Sequence, residues 1–249
     1  MAVLLQGLFA FWLLALVAAR PVTLVVSAAS DLAFALPELA ARFTQESGVQ
    51  VLFNFGSTGQ LAQQIERGAP VDLFLAANAA FVERLEAQGL LLPGSQRPYA
   101  IGRLVLWTRP DSPLVLAGLA DLLKPQVRRV ALANPDHAPY GVAAREALQA
   151  AGLWEALQDK LILAENVRQA WQYAATGNVD AALIALSLVV SRPGRWWLVP
   201  EHLHRPILQV LAIPKAARHV PQAQRLAAFI TGPQGQAVLR RYGFGIPAP

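Results

Sequence analysis

The sequence predicts an α/β protein of two lobes with a cleft between them, and three observations carry that reading. Past Arg20, short β-rich runs alternate with helical patterns, the signature of mostly parallel sheets flanked by helices. The texture of the chain changes near RPYAIGRLVLW (97–107) and again near RPILQVLAIPK (205–215), as if the chain leaves one unit and returns to it. A length of 249 residues, 55% hydrophobic and 15% charged, is enough for two units with cores of their own. The expected division is 20–100 plus 206–249 in lobe I and 101–205 in lobe II. The two crossing segments, near residues 101 and 205, would form a hinge.

Eight strands are expected, in order VTLVV (22–26), VQVLFNF (49–55), DLFLAA (72–77), RLVLWT (103–108), RVALA (129–133), LILA (161–164), AALIAL (181–186) and ILQVLAI (207–213). Each is short, rich in β-branched or other apolar residues, and bounded by polar or turn residues. Helices fill the intervals. The first presents Leu32, Leu36, Leu39 and Phe43 along one stripe, and Pro37 inside it implies a kink or a late start. The second, around QLAQQIERG, buries Leu61 and Ile65 and stops at Gly68, as later helices stop at Gly89, Gly152 and Gly177. The segment QAQRLAAFITGPQGQAVLRRYGF is the final helical region.

Residues 1–19, MAVLLQGLFAFWLLALVAA, carry no charged side chain and end in Val17-Ala18-Ala19, a pattern suited to signal peptidase. They read as a secretory signal, although the apolar run is almost long enough to serve as an uncleaved anchor. Cysteine is absent, which removes disulfides, thiolate metal sites, thiol nucleophiles and lipid-modified cysteine. An exported chain with neither disulfide nor lipid points to the bacterial periplasm. Net charge is +5, without a basic run or basic helix face, so nucleic acid is not an expected partner.

In open parallel sheets ligands lie beyond the carboxyl ends of the strands. Four such junctions resemble one another: Ser30-Asp31, Ser57-Thr58-Gly59, Pro139-Tyr140-Gly141 and Glu165-Asn166-Val167. Each opens a helix whose first N–H groups lack intrahelical partners, so each can hold an anion through dipoles and hydroxyls without a basic side chain. Ser30, Asp31 and Asn166 are also ordinary N-caps, and Tyr140 also fits a core edge. EHLH (201–204) reads as surface loop rather than metal site, and no cationic metal site is expected elsewhere. His137 beside Asp136 finds no Ser or Cys at a spacing that completes a triad. GRWWLVP (194–200) reads as packing aromatics.

AASDL, FGSTGQLAQQIERGAPVDLFLAA, YAIGRLVLW, ANPDHAPYG, AENVRQA and GPQGQAVLRRYGF together resemble the periplasmic molybdate-binding proteins of ABC import systems. The similarity runs from about Leu24 to Phe244. It implies the two-lobed type II periplasmic binding protein fold, a molybdate or tungstate ligand with no other cofactor, no catalysis, a monomer, and an ABC transporter permease of the inner membrane as partner. It also implies that Ser30 and Thr58 supply hydroxyl and backbone donors, with Asp31 and Ser57 beside them. Tyr140 and Val167 would answer from the other lobe, Val167 through its N–H. Some relatives carry a ligating tyrosine where this chain has Ala185, a donor that Tyr140 would have to replace. Asp31 would put a carboxylate near an anion, so it is expected to turn outward as a cap. With donors alone, the site would exclude a protonated oxyanion such as phosphate. The alternative ligands are another oxyanion or small solute, namely sulfate, phosphate or a chelated metal.

Overall fold

The computed structural model describes residues 21–247; the expected signal segment, 1–19, lies outside them. Ten strands form two five-stranded sheets. The first sheet holds β1 (Thr23–Ala29), β2 (Gln50–Gly56), β3 (Leu73–Ala76), β4 (Arg97–Gly102) and β10 (Ile207–Ala212), in the order β2-β1-β3-β10-β4. The second holds β5 (Leu104–Thr108), β6 (Val130–Ala133), β7 (Leu161–Ala164), β8 (Ala181–Ala185) and β9 (Arg195–Leu198), in the order β7-β6-β8-β5-β9. The chain crosses from one sheet to the other at Arg103 and returns after Leu198.

Both sheets are mixed. β1 runs parallel to β2 and β3, and β6 runs parallel to β7 and β8. β10, on which the chain returns to the first sheet, and β5, on which it enters the second, each pair antiparallel on both sides. The parallel parts matter for function, because their strands end together at one edge of each sheet.

Among the described residues eight α-helices cover the sheets: α1 (Ala35–Ser47), α2 (Thr58–Glu66), α3 (Ala79–Ala87), α4 (Pro139–Ala150), α5 (Trp154–Leu157), α6 (Val167–Ala175), α7 (Val220–Thr231) and α8 (Pro233–Arg241). Along β3, alternate residues face opposite ways. Leu73 and Leu75 join Leu36, Leu39, Phe43, Leu226 and Ile230 on one face, while Phe74 and Ala76 join Leu61, Ile65, Val82 and Leu85 on the other. Both faces are apolar, so the first sheet sits between two helical layers. The second lobe builds one core from Leu104, Leu106, Leu132, Leu148, Leu183 and Ile184.

Two elements depart from expectation in a way that shapes the site. β1 continues through Ser27, Ala28 and Ala29, and the next three residues, Ser30–Leu32, form a single turn of 3-10 helix. α1 begins only at Ala35, so Pro37 falls in its first turn, where a missing N–H costs nothing. β4 and β9 are additional strands. Both lie at sheet edges, and GRWWLVP therefore packs as an edge strand, with Trp196 exposed.

Candidate functional site

The parallel strands of the two sheets point their carboxyl ends at each other, and the turns that follow them close around one small cavity. Ser30, Asp31, Ser57, Thr58, Tyr140 and Val167 all line it, together with Ala29, Gly56, Ala77, Ala138 and Pro139. The cavity measures about 10 Å3, the scale of one water-sized sphere. Only a compact occupant fits. A larger cavity of about 680 Å3, bordered by Arg109, Lys124 and Arg128, shares no residue with it. Arg109 and Lys124 there are already paired with Asp111 and Asp121.

Three of the four junctions are the starts of true α-helices. Ser57 caps α2, its hydroxyl accepting from the Gln60 N–H at 3.4 Å, and Asn166 caps α6, accepting from the Gln169 N–H at 3.1 Å. α4 opens on Pro139 at its first position. Thr58, Tyr140 and Val167 thus sit in first turns, where N–H groups have no intrahelical acceptor and the helix dipole is positive. The fourth junction differs. Ser30 begins a turn of only three residues and caps nothing, so it contributes a hydroxyl rather than a helix dipole.

The hydroxyls are oriented by neighbours. Thr58 is fully buried, and its Oγ1 accepts from the Ala77 N–H at 3.0 Å, leaving its own proton free to donate. Ser30 Oγ accepts from the Arg168 N–H across the cleft at 3.4 Å. Ser57 Oγ is occupied differently: it meets Gln60 Oε1 at 3.0 Å and His137 Nδ1 at 2.9 Å. That contact and the Gly59 N–H donating to the His137 carbonyl at 3.0 Å tie the lobes together at the rim. A Cβ on Gly59 would lie 2.8 Å from that carbonyl oxygen, so the close approach requires glycine.

Ser57 and His137 therefore form a serine–histidine pair that spacing along the chain did not reveal. It is not a catalytic triad, because among the described residues His137 makes no hydrogen bond with Asp136 or any other acid.

Asp31 corrects the expectation of an outward-facing cap. It is completely buried. Its Oδ2 accepts from the Tyr140 hydroxyl at 3.1 Å and from the Gln209 side-chain amide, while the Tyr99 hydroxyl donates to Gln209 Oε1 at 2.6 Å. Oδ1 has no hydrogen-bond partner of good geometry. Ser187 donates to the Asp31 carbonyl at 2.8 Å. Burial pushes the Asp31 carboxyl up to about 6, against the pull of Gln209, Tyr140 and the N–H groups of Asp31 and Leu32. Burial, and after it the Asp31 charge, also raises the Tyr140 hydroxyl well above its usual value.

Tyr140 thus gives its hydroxyl to Asp31 in this structure. Ala185 itself is buried at the end of β8, opposite Leu104. Gly102 makes the tyrosine's position possible: a Cβ there would lie 2.3 Å from the Tyr140 hydroxyl oxygen. Gln209 is the residue sequence reasoning passed over. The signal was one polar residue inside the apolar run ILQVLAI, at a position that proves fully buried. Among the described residues no group of His, Asp or Glu could hold a metal cation.

Two α/β lobes meeting over a compact cavity, walled by helix starts and hydroxyls, define a solute-binding protein. The comparisons agree: the chain belongs to the bacterial extracellular solute-binding protein family, whose model matches residues 24–245. It is 36% identical to the molybdate-binding protein ModA of Azotobacter vinelandii over 92% of each chain. It is equally 36% identical to ModA of Rhodobacter capsulatus, over 83% of this chain and 82% of that one. Among solved structures, the periplasmic molybdate-binding protein of Azotobacter vinelandii superposes with a TM-score of 0.86 at 33% identity, covering 90% of this chain and all of that one. A sulfate-binding protein of Mycobacterium tuberculosis, at 17% identity and a TM-score of 0.76, shares the fold.

Proposed function

We propose that the protein captures molybdate or tungstate between its lobes in the periplasm and delivers it to an ABC permease of the inner membrane. The observation that carries this reading is the convergence of three helix N-termini and two free-proton hydroxyls on one compact cavity. None of the residues lining that cavity is basic. Dipoles and neutral donors are well suited to a tetrahedral dianion, whose four oxygens each need donors from a different direction. The names of the relatives supply the particular anion.

In this reading Ser30 and Thr58 donate through hydroxyls, and Thr58, Tyr140 and Val167 through N–H groups. Ser57 positions the first turn of α2 and its link to His137. Lobe I comprises 20–100 and 206–249, and lobe II comprises 101–205. Only the closed arrangement offers donors from both, which gives the ligand its preference for that state. The protein works as a monomer, without catalysis, cofactor or nucleic acid, after loss of residues 1–19.

Thermal-shift and calorimetric titrations against molybdate, tungstate, sulfate, phosphate and chromate test the assignment. Molybdate and tungstate should raise Tm and bind most tightly. Tighter binding of sulfate or phosphate would overturn the choice of anion.

A further inference from the structure

A buried carboxyl beside an anion site raises a question of charge. Asp31 lines the cavity and is completely buried, yet among the described residues no cation is paired with it. The groups facing it are neutral on every side: Tyr140 from α4, Tyr99 from β4 through Gln209 of β10, and Ser187 from the turn after β8. The helix α6, which packs against the Ser30–Leu32 turn, brings Arg168. Its N–H goes to Ser30, and its guanidinium lies 5.9 Å from the centre of the Phe34 ring, over which Arg192 also sits at 3.6 Å. An ionised Asp31 would confront a bound dianion at short range in a site with little water, where like charges repel strongly.

The hydrogen bonds already present resolve the conflict. Two donors converge on Oδ2, which suits the carbonyl oxygen of a neutral acid, and Oδ1 is left without a partner. We propose that the site takes up one proton together with its anion: in the complex Asp31 is a neutral acid whose Oδ2 accepts from Tyr140 and Gln209 while its Oδ1–H donates to the bound oxyanion. The inference rests on the oxyanion reading of this cavity and adds a donor to it. The proton comes from solvent and returns there on release. Burial, which raises the carboxyl to about 6 before any anion arrives, works in the same direction.

The linkage has a definite sign. Below about pH 6 the free site already carries the proton, and affinity is flat. Above it, each binding event must draw a proton, and affinity for molybdate falls by up to about tenfold per pH unit. Asp31→Asn keeps the same pattern without titrating, its carbonyl facing Tyr140 and Gln209 and its amide facing the cavity.

The test is calorimetric titration of the wild-type protein with sodium molybdate at pH 7.5 and pH 5, in buffers of differing ionisation enthalpy. Between about half and one proton should be taken up per molybdate at pH 7.5, falling toward zero at pH 5. Asp31→Asn should bind with no uptake at either pH and about 10- to 30-fold more tightly than wild type at pH 7.5. Molybdate binding to the wild type with no proton uptake at pH 7.5 overturns the proposal and leaves the oxyanion reading intact. So does tight binding of hydrogen phosphate without uptake, which would make an ionised Asp31 its acceptor. Absence of binding by any oxyanion overturns the reading, and the proposal with it.

Discussion

Two buried aspartates of the first lobe stand at opposite ends of its strands, and their surroundings push their carboxyls in opposite directions. Asp72 precedes β3. Its carboxylate accepts from the N–H groups of Val25, Arg218 and His219 at 2.9–3.0 Å, with the His219 ring at 3.3 Å. Burial alone would raise its pKa, but the N–H groups of Val25 and His219, the His219 ring and the N–H of Arg218 outweigh it and hold the carboxyl below its ordinary value. Asp31 follows β1, has two side-chain donors on one oxygen and none on the other, and is pushed up to about 6. A carboxylate wrapped by backbone donors is a structural pin, whereas one left half satisfied beside a cavity has a free atom to use.

Replacing each aspartate in turn should break the comparison in opposite directions. Asp72→Ala strands three N–H groups and should lower stability at pH 7 by roughly 2–4 kcal/mol, read by urea denaturation. Because the folded pKa of Asp72 is depressed, its contribution is present above about 3.8 and lost as pH falls below that. Asp31 has the reverse sign. Its folded pKa is raised, so its contribution to stability is complete below about 3.8 and lost as pH rises through 6. Relative to wild type, Asp31→Asn should therefore gain up to about 3 kcal/mol above pH 6 and nothing below pH 4.

Smaller changes sharpen the contrast. Gly102→Ala places a methyl group against the Tyr140 hydroxyl and should cost about 1–3 kcal/mol in unfolding free energy, with the Asp31 pH dependence altered as well. Thr58→Val removes a hydroxyl that orients Ala77 and, in the proposed function, donates to the ligand. Molybdate affinity should weaken by about 1–2 kcal/mol in a titration. Unchanged affinity would remove the Thr58 hydroxyl from the donors.

What was legible in the sequence was local. Runs such as TLVV and VALA announce buried strands, and the glycines that end helices α2 to α4 and α6 do adopt the left-handed backbone, Gly68 at φ 84° and Gly177 at 77° among them. Three of the four expected strand-to-helix junctions were legible for the same reason, because helix starts follow strands closely in the chain. What was hidden depends on partners far apart in sequence. Nothing near Asp31 foretells Gln209 or Tyr99, and nothing near Ser57 foretells His137. Ser30 misled in a simpler way: it looks like the cap of α1, but Pro37 delays that helix and leaves the serine in a separate turn. The edge strands β4 and β9 were missed because each begins with arginine and keeps exposed positions.

The proposed seat of the oxyanion is the cavity between Ser30, Thr58, Tyr140 and Val167. Crystals grown with sodium tungstate and measured at the tungsten absorption edge would locate it directly. One strong anomalous peak should appear inside that cavity, within hydrogen-bond reach of the Thr58 hydroxyl and the Val167 N–H. A peak elsewhere, for instance among Arg109, Lys124 and Arg128, with the cavity empty, would contradict it.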